Sequence, residues 1–291
     1  MIRLEHLTKQ YPSGKGIRDI NLQIPYGGAF GFLGPNGAGK TTTIRVLMGL
    51  LQPDNGGARI KDLDCWQNRT EVKHVVGYLP GELHFPDYFL GSEFLELMRR
   101  MHGGKFEIQN NCKQLAEHLD LDTKQSIRKM SKGMKQKLGI ISALMLDFEV
   151  LIMDEPTSGL DPLMQQVFID LILEEKKKGK TIFMSSHQFQ EIERTCEQVG
   201  IIREGQLLTV QDINRIKQME CHTFEVEVEN EEYAEYLHQC GLEVYRDKGL
   251  SFIIKITGNF DSLWQVLSGI KVKKFRQRFL ELEEAFIQYY R

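Results

Sequence analysis

The stretch GPNGAGKT at residues 34–41 constrains the fold more than any other part of the chain. It fits the pattern G-x-x-x-x-G-K-[ST], and its surroundings fit as well. The apolar run GAFGFL (28–33) precedes it as a buried strand, and Ile44, Leu47, Met48 and Leu51 follow at helical spacing, so a helix is expected over 41–51. Strand, glycine loop and helix in that order make a phosphate cradle. Gly34, Gly37 and Gly39 let the backbone turn its N–H groups inward, and Pro35, Asn36 and Ala38 complete the loop. The helix N-terminus adds the positive end of its dipole. Lys40 reaches the β- and γ-phosphates, and the Thr41 hydroxyl is a ligand for Mg²⁺. The chain is expected to bind a nucleoside triphosphate.

A second apolar run, VLIMD (150–154), ends in Asp154 and is followed by Glu155. In open α/β sheets ligands bind beyond the C-terminal ends of the strands. Asp154 is therefore placed to hold Mg²⁺ through water, and Glu155 to polarise an attacking water. Other strand-length runs are IRLEHL (2–7), VVGYL (75–79), TIFMSS (181–186) and VGIIREGQLL (199–208). Helical stripes lie between them: Phe94, Leu97, Met98 and Met101, then Ile108, Cys112, Leu115 and Leu119, then Met134, Leu138, Ile141 and Met145. Each stripe is expected to be a core face. Short buried strands alternating with helices predict an α/β domain over residues 1–215 with a largely parallel sheet. Residues 83–146 carry no convincing strand and read as a helical insertion. A boundary near 211–220 sets off a small α+β appendage at 220–291. There FEVEVE (224–229) and SFIIKITG (251–258) alternate as half-exposed strands, and FDSLWQVLSG (260–269) and FLELEEAFIQYY (279–290) read as helices.

The bulk properties narrow the partners. A formal net charge of −3 over 291 residues offers no basic field for nucleic acid. No apolar run approaches the ~18–20 residues of a membrane helix. The opening MIRLEHLTKQYPSGKG has charges where a signal peptide needs an apolar stretch. The cysteines Cys65, Cys112, Cys196, Cys221 and Cys240 form no CxxC pair, which argues for a reducing compartment without disulfide or zinc. A cytosolic protein is expected, with any membrane role exerted through a partner.

Two lysine-rich runs need local explanations. KKKGK (176–180) closes the helix that begins after Pro162, where lysines complement the dipole and Gly179 supplies a left-handed cap. KMSKGMKQK (129–137) is explained by its neighbours. PTSGLD (156–161) follows the Asp154–Glu155 pair, and SSH (185–187) ends the next strand. With GPNGAGKT, VLIMDE and SKGMKQ (131–136), these are five ordered motifs over roughly residues 1–210. The set resembles the ATPase subunits of ATP-binding cassette (ABC) transporters, whose fold is a P-loop NTPase sheet domain. SKGMKQ stands where that family carries its signature, Ser-Gly-Gly-Gln. SKGMKQKLGI, YLPGEL (78–83) and LEEAFIQYY (282–290) further resemble subunits of bacterial exporters of antibiotics, peptides and small amphiphiles.

The resemblance implies ATP and Mg²⁺ as ligands and a head-to-tail dimer, either of identical chains or with a closely related second ATPase. It also implies a separate membrane-spanning subunit and a place at the cytoplasmic face of the cell membrane. Residue by residue, Gly34 to Thr42 would hold the phosphates. Ser131 and Gly133 would face the γ-phosphate bound on the other subunit. Asp161 would link the two sites, and His187 would contact the γ-phosphate and order the water. Tyr11 would stack on adenine, or else pack a strand end. A Ser-x-Gly turn opening a helix does offer N–H groups and a hydroxyl to an anion. The lysines Lys132, Lys135 and Lys137 are then left solvated or interfacial, although Lys132 has the alternative of facing the triphosphate. Tyr88, Phe89 and Leu90 lie where the family forms a groove for the membrane subunit, or are the insertion's own core. The chain departs from the family at the glutamine that touches Mg²⁺. Here that position is Gly81, followed by Glu82, so either Glu82 or water completes the metal's shell. A soluble ABC ATPase acting on nucleic acid or ribosomes is the other class, but such relatives carry paired cassettes or long coiled-coil insertions.

Overall fold

The computed structural model describes residues 1–102, 106–218, 221–257 and 259–278. Two compact units divide the chain, Met1–Ile213 and Asn214–Arg291. In the first, β1 (Ile2–Gln10) and β2 (Gly16–Ile24) pair antiparallel. β3 (Ala29–Leu33) leads into the glycine loop and α1 (Lys40–Leu47). β4 (Asn55–Ile60) then returns to the other edge of β1, and β5 (Leu63–Asp64) pairs with β4. The result is a four-stranded antiparallel sheet, β2-β1-β4-β5.

After α2 (Arg69–Val75) and β6 (Val76–Leu79) comes a helical region of α3 (Gly91–Met101), α4 (Phe106–His118) and α5 (Lys132–Leu144). The chain re-enters the sheet through β7 (Val150–Asp154), α6 (Pro162–Lys177), β8 (Thr181–Ser186) and α7 (Phe189–Thr195). It leaves by the hairpin β9 (Gln198–Arg203) and β10 (Gln206–Asp212). Six strands in the order β10-β9-β3-β8-β7-β6 form the second sheet, parallel throughout except for β10.

Burial on both faces explains the continuous apolar runs: every residue of β3, β7 and β8 is buried. Phe30 and Phe32 project from one face of β3 toward Phe183 of β8, with ring centroids 5.8 and 5.5 Å from it. These rings join Ile2, Leu7 and Ile20 of the antiparallel sheet and Ile44 and Leu47 of α1 in one core. The sheets thus clamp α1 and the loop before it. Among the described residues no helix is long and apolar enough to cross a membrane.

Several expectations need correction. IRLEHL belongs to the antiparallel sheet rather than the parallel one, and β2 and β4 are additional strands. VGIIREGQLL is two strands, because Glu204 and Gly205 both take positive φ (49° and 79°) and turn the chain back. α1 stops at Leu47 because Gly49 adopts φ 63°, so Leu51 lies past its end. The stripe Phe94–Met101 is not a core face. α3 buries Leu95 and sets Phe94 edge-on to Phe85, leaving Leu97 and Met101 exposed. The basic run at 176–180 closes α6 as expected: Gly179 takes φ 83° and donates to the Lys176 carbonyl. Three of its lysines are also paired, Lys176 with Glu197 at 2.5 Å, and Lys178 and the buried Lys180 with Glu175.

From α8 (Ile213–Gln218) the chain enters the second unit: β11 (Cys221–Val228), α9 (Glu231–Gln239), β12 (Glu243–Arg246), β13 (Ser251–Thr257), α10 (Asp261–Ser268) and β14 (Val272–Arg278). The antiparallel order β12-β13-β11-β14 with this succession is the ferredoxin-like split βαβ arrangement. Phe224, Val226 and Val228 alternate onto the helices, where Leu237, Leu263 and Val266 complete a core separate from that of the first unit. β12 and β14 escape the sequence reading because both are edge strands with mostly polar residues. The expected helix at 279–290 lies outside the described residues.

Candidate functional site

The site grows from the end of β3. Gly34 sits so close to β9 that a Cβ there would meet the Ile202 carbonyl at 2.3 Å. Gly39 caps α1 with φ 112°, a region closed to ordinary side chains, and a Cβ would strike Ile17 of β2 at 2.7 Å. The first-turn N–H groups of α1, around Lys40, Thr41 and Thr42, lack partners within the helix and point with its positive dipole end into the loop. Pro35, Asn36 and Gly37 are exposed at the rim while Ala38 is buried.

Lys40 is only 5% exposed. Its Nζ donates to the Gly34 carbonyl at 2.6 Å and the Pro35 carbonyl at 3.2 Å. Glu155 Oε1 lies 3.0 Å away as an ion-pair partner, outside hydrogen-bonding geometry. The loop is thus curled around its own cation.

Parallel register brings the carboxylates to the same rim. β8 lies between β3 and β7, and Asp154 stands level with Ser185. Asp154 Oδ2 accepts from the Thr41 hydroxyl at 2.7 Å, and its Oδ1 accepts from Ser185 Oγ at 2.5 Å. Glu155 follows with φ 50°, a left-handed backbone unusual for glutamate. That turn aims its carboxylate at two partners, Lys40 and the Nδ1 of His187, which lies 2.5 Å from Oε2.

Lys40, Thr41, Asp154, Glu155 and His187 therefore converge. Tyr11 does not join them: half-buried, it opens the turn to Lys15 ahead of Gly16 and Ile17, the residues beside Gly39. Ser131 and Asp161 act as helix N-caps, accepting from Met134 N at 3.2 Å and Met164 N at 3.0 Å. Gly133 packs on the 156–161 segment, where a Cβ would meet the Gly159 carbonyl at 2.8 Å. Among the described residues no hydrogen bond joins Ser131, Gly133 or Asp161 to the loop at 34–42. Lys132 is exposed with its stem against Gly159, Lys135 pairs with Asp87 at 3.6 Å, and Lys137 donates to the Asp120 carbonyl.

Gly81 lies beside the Asp154 carboxylate, and a Cβ there would be 3.1 Å from Oδ2. Glu82 is exposed and forms no ion pair or hydrogen bond among the described residues. Sequence reasoning passed over two polar anchors. Ser185 fixes Asp154 and also accepts the Glu155 amide at 3.2 Å, a role implied by the level register of β7 and β8. Buried Gln136 donates to the Pro156 carbonyl at 2.6 Å, tying α5 to the residue after Glu155. Nothing in the local sequence signals that contact.

Comparison with known proteins gives the family. The family model described as "ABC transporter" matches residues 17–158. The bacitracin transport ATP-binding protein BcrA of Bacillus licheniformis is 33% identical over 300 residues, covering 99% of this chain and 96% of that one. The linearmycin resistance ATP-binding protein LnrL of Bacillus subtilis is 31% identical, covering 72% of this chain and 68% of its own length. Among solved structures, an ATP-binding subunit of an ABC transporter superposes with a TM-score of 0.70 at 27% identity, covering 75% of this chain and 92% of that one. With the likeness sustained from end to end, this chain belongs to the ATP-binding proteins of the ABC transporter family.

Proposed function

We propose that the chain is the ATP-hydrolysing subunit of a membrane exporter, working as a head-to-tail pair in which each site joins one copy's phosphate loop to the other copy's signature turn. The observation that carries the hydrolytic role is the Glu155 carboxylate, held at the end of β7 between Lys40 and His187. Lys40 and the loop's N–H groups beyond Pro35 take the phosphates, and Tyr11 stacks on the adenine. Thr41 and Asp154 are hard oxygen donors already 2.7 Å apart, and they fit Mg²⁺, which when bound offsets charge on the triphosphate. Water attacks the γ-phosphorus, its proton passes toward Glu155, and the bond to the ADP oxygen breaks. His187 holds the γ-phosphate and the water in line.

The pairing is supported by where Ser131, Gly133 and Asp161 stand, away from their own phosphate loop. It is tested by mixing Ser131→Arg and Lys40→Ala subunits, each inactive alone. A mixed head-to-tail dimer holds one site with both halves intact, so up to about half the wild-type activity is expected to return. An ATP-bound structure with Ser131 on the phosphates of its own chain would refute the pairing.

Export is supported by the names of two relatives, a bacitracin transport and a linearmycin resistance ATP-binding protein. Tyr88, 82% exposed, with Leu90, Leu97 and Met101 forms an apolar surface suited to a membrane subunit at the cytoplasmic face. Affinity purification from detergent-solubilised membranes is expected to bring down a chain with several spanning helices. Ribosomes in its place would favour the nucleic-acid class. In that complex Glu82→Ala is expected to leave basal ATPase and its Mg²⁺ requirement within about threefold while weakening stimulation by the membrane chain. A large rise in the Mg²⁺ requirement would make Glu82 a metal ligand instead.

A further inference from the structure

One buried carboxylate beneath the hydrolytic pair has no part in the site so far. Glu191, on the first turn of α7, is 5% exposed. Ser186 Oγ donates to its Oε2 at 2.6 Å, and Ser186 Oγ itself accepts the Gln188 amide at 2.9 Å. Ser186 thus ties Glu191 to the residues on both sides of His187. The Ser186 carbonyl also accepts the Gly34 amide of the phosphate loop at 3.3 Å. On its other flank stands the buried hydroxyl of Thr157, two residues beyond Glu155. Glu191 Oε1 nevertheless has no hydrogen-bond partner of ordinary geometry.

A buried carboxylate with so few donors is costly as an anion. We infer that Glu191 is a positioning residue for the hydrolytic pair, fixing through Ser186 and Thr157 the segments that carry His187 and Glu155, and that it does so as the neutral acid. The inference rests on the roles given above to those two residues.

Burial pushes the Glu191 carboxyl up to about 7, helped by the Glu155 charge and opposed by the Ser186 hydrogen bond, the nearby Thr157 hydroxyl and His187. A further titratable neighbour is Cys196, whose thiol burial pushes up to about 12. As an acid, Glu191 adds no charge beside Glu155. Once ionised, it places a second negative charge there and loosens the segment that holds His187. Stability has the same sign. The folded chain keeps the proton to about 7 against an ordinary 4.5, so this contribution is full below the lower value and lost as pH rises through the upper one.

The test follows kcat, KM, ATP affinity and melting temperature of the full chain from about pH 5 to about pH 8.5. Glu191→Ala is expected to lower kcat ~10-fold while ATP affinity stays within ~2-fold. Glu191→Gln keeps the shape and cannot ionise. It is expected to hold kcat within ~3-fold of wild type near pH 6.5 and to lose the wild-type decline above pH ~7. Its melting temperature is expected to exceed the wild type's by ~3 °C or more near pH 8 and to match it near pH 5. An alkaline limb that persists unchanged in Glu191→Gln overturns the inference, as does a folded Glu191→Ala with wild-type kcat. If the alanine variant does not fold, the glutamine profile decides alone. Failure of the underlying site reading would appear separately, as undiminished hydrolysis in Glu155→Gln.

Discussion

Glu155→Gln is expected to slow ATP hydrolysis by about 10²-fold or more while ATP stays bound. The substitution preserves shape and removes the proton acceptor. Glu155 sits at φ 50° with its carboxylate shared between Lys40 and His187. Glutamine fits the same backbone and still accepts from the His187 ring through its amide oxygen. What it loses is the charge that engages Lys40, 3.0 Å away. The lysine is then freer to turn to an incoming phosphate, so nucleotide affinity is expected to hold or rise. Slow hydrolysis with retained binding lets the ATP-bound pair build up, and size-exclusion chromatography with ATP is expected to show a dimer. A monomeric variant that hydrolyses ATP at the wild-type rate would contradict both the role of Glu155 and the paired arrangement.

How much of this was legible in the sequence depended on how local the physics was. The glycine loop, the strand before it and the Asp154–Glu155 strand end announce themselves because burial on both faces makes β3 and β7 unbroken apolar runs. β2 and β4 were missed because half their residues face water and β4 opens with Asn-Gly-Gly, which reads as a turn. The exposed stripe on α3 shows the limit of periodicity. Helical spacing finds an apolar face, and only the neighbouring elements decide whether that face is covered. At the site itself, Lys40, Thr41, Asp154, Glu155 and His187 were readable as types at ordered motifs. Their partners Ser185, Gln136 and Glu191 were not, since each acts across a separation of 5 to 31 residues. The left-handed backbone of Glu155 was equally invisible, because no glycine marks it.

Lys40→Ala is the second large effect. It is expected to weaken ATP binding by about 10²-fold or more, and the structure gives the loss two sources. The first is the charged donor to the β- and γ-phosphates. The second is the loop's own order. Lys40 Nζ draws in the carbonyls of Gly34 and Pro35 and the Glu155 carboxylate from a position 5% exposed. Truncation leaves these oxygens facing one another around the space of the lost ammonium, a destabilisation of roughly 1–3 kcal/mol for unsatisfied buried acceptors. The cradle must then be ordered by the nucleotide itself, which lowers affinity further. The two sources separate by ligand. AMP presents no β- or γ-phosphate, so its weaker binding is expected to fall only by the ordering cost, whereas ATP loses both contributions. Fluorescence titration of wild type and variant with ATP, ADP and AMP measures the difference. An ATP affinity equal to the wild type's would overturn the assignment of residues 34–42 as the phosphate site. An equal loss for all three nucleotides would assign Lys40 to loop order alone.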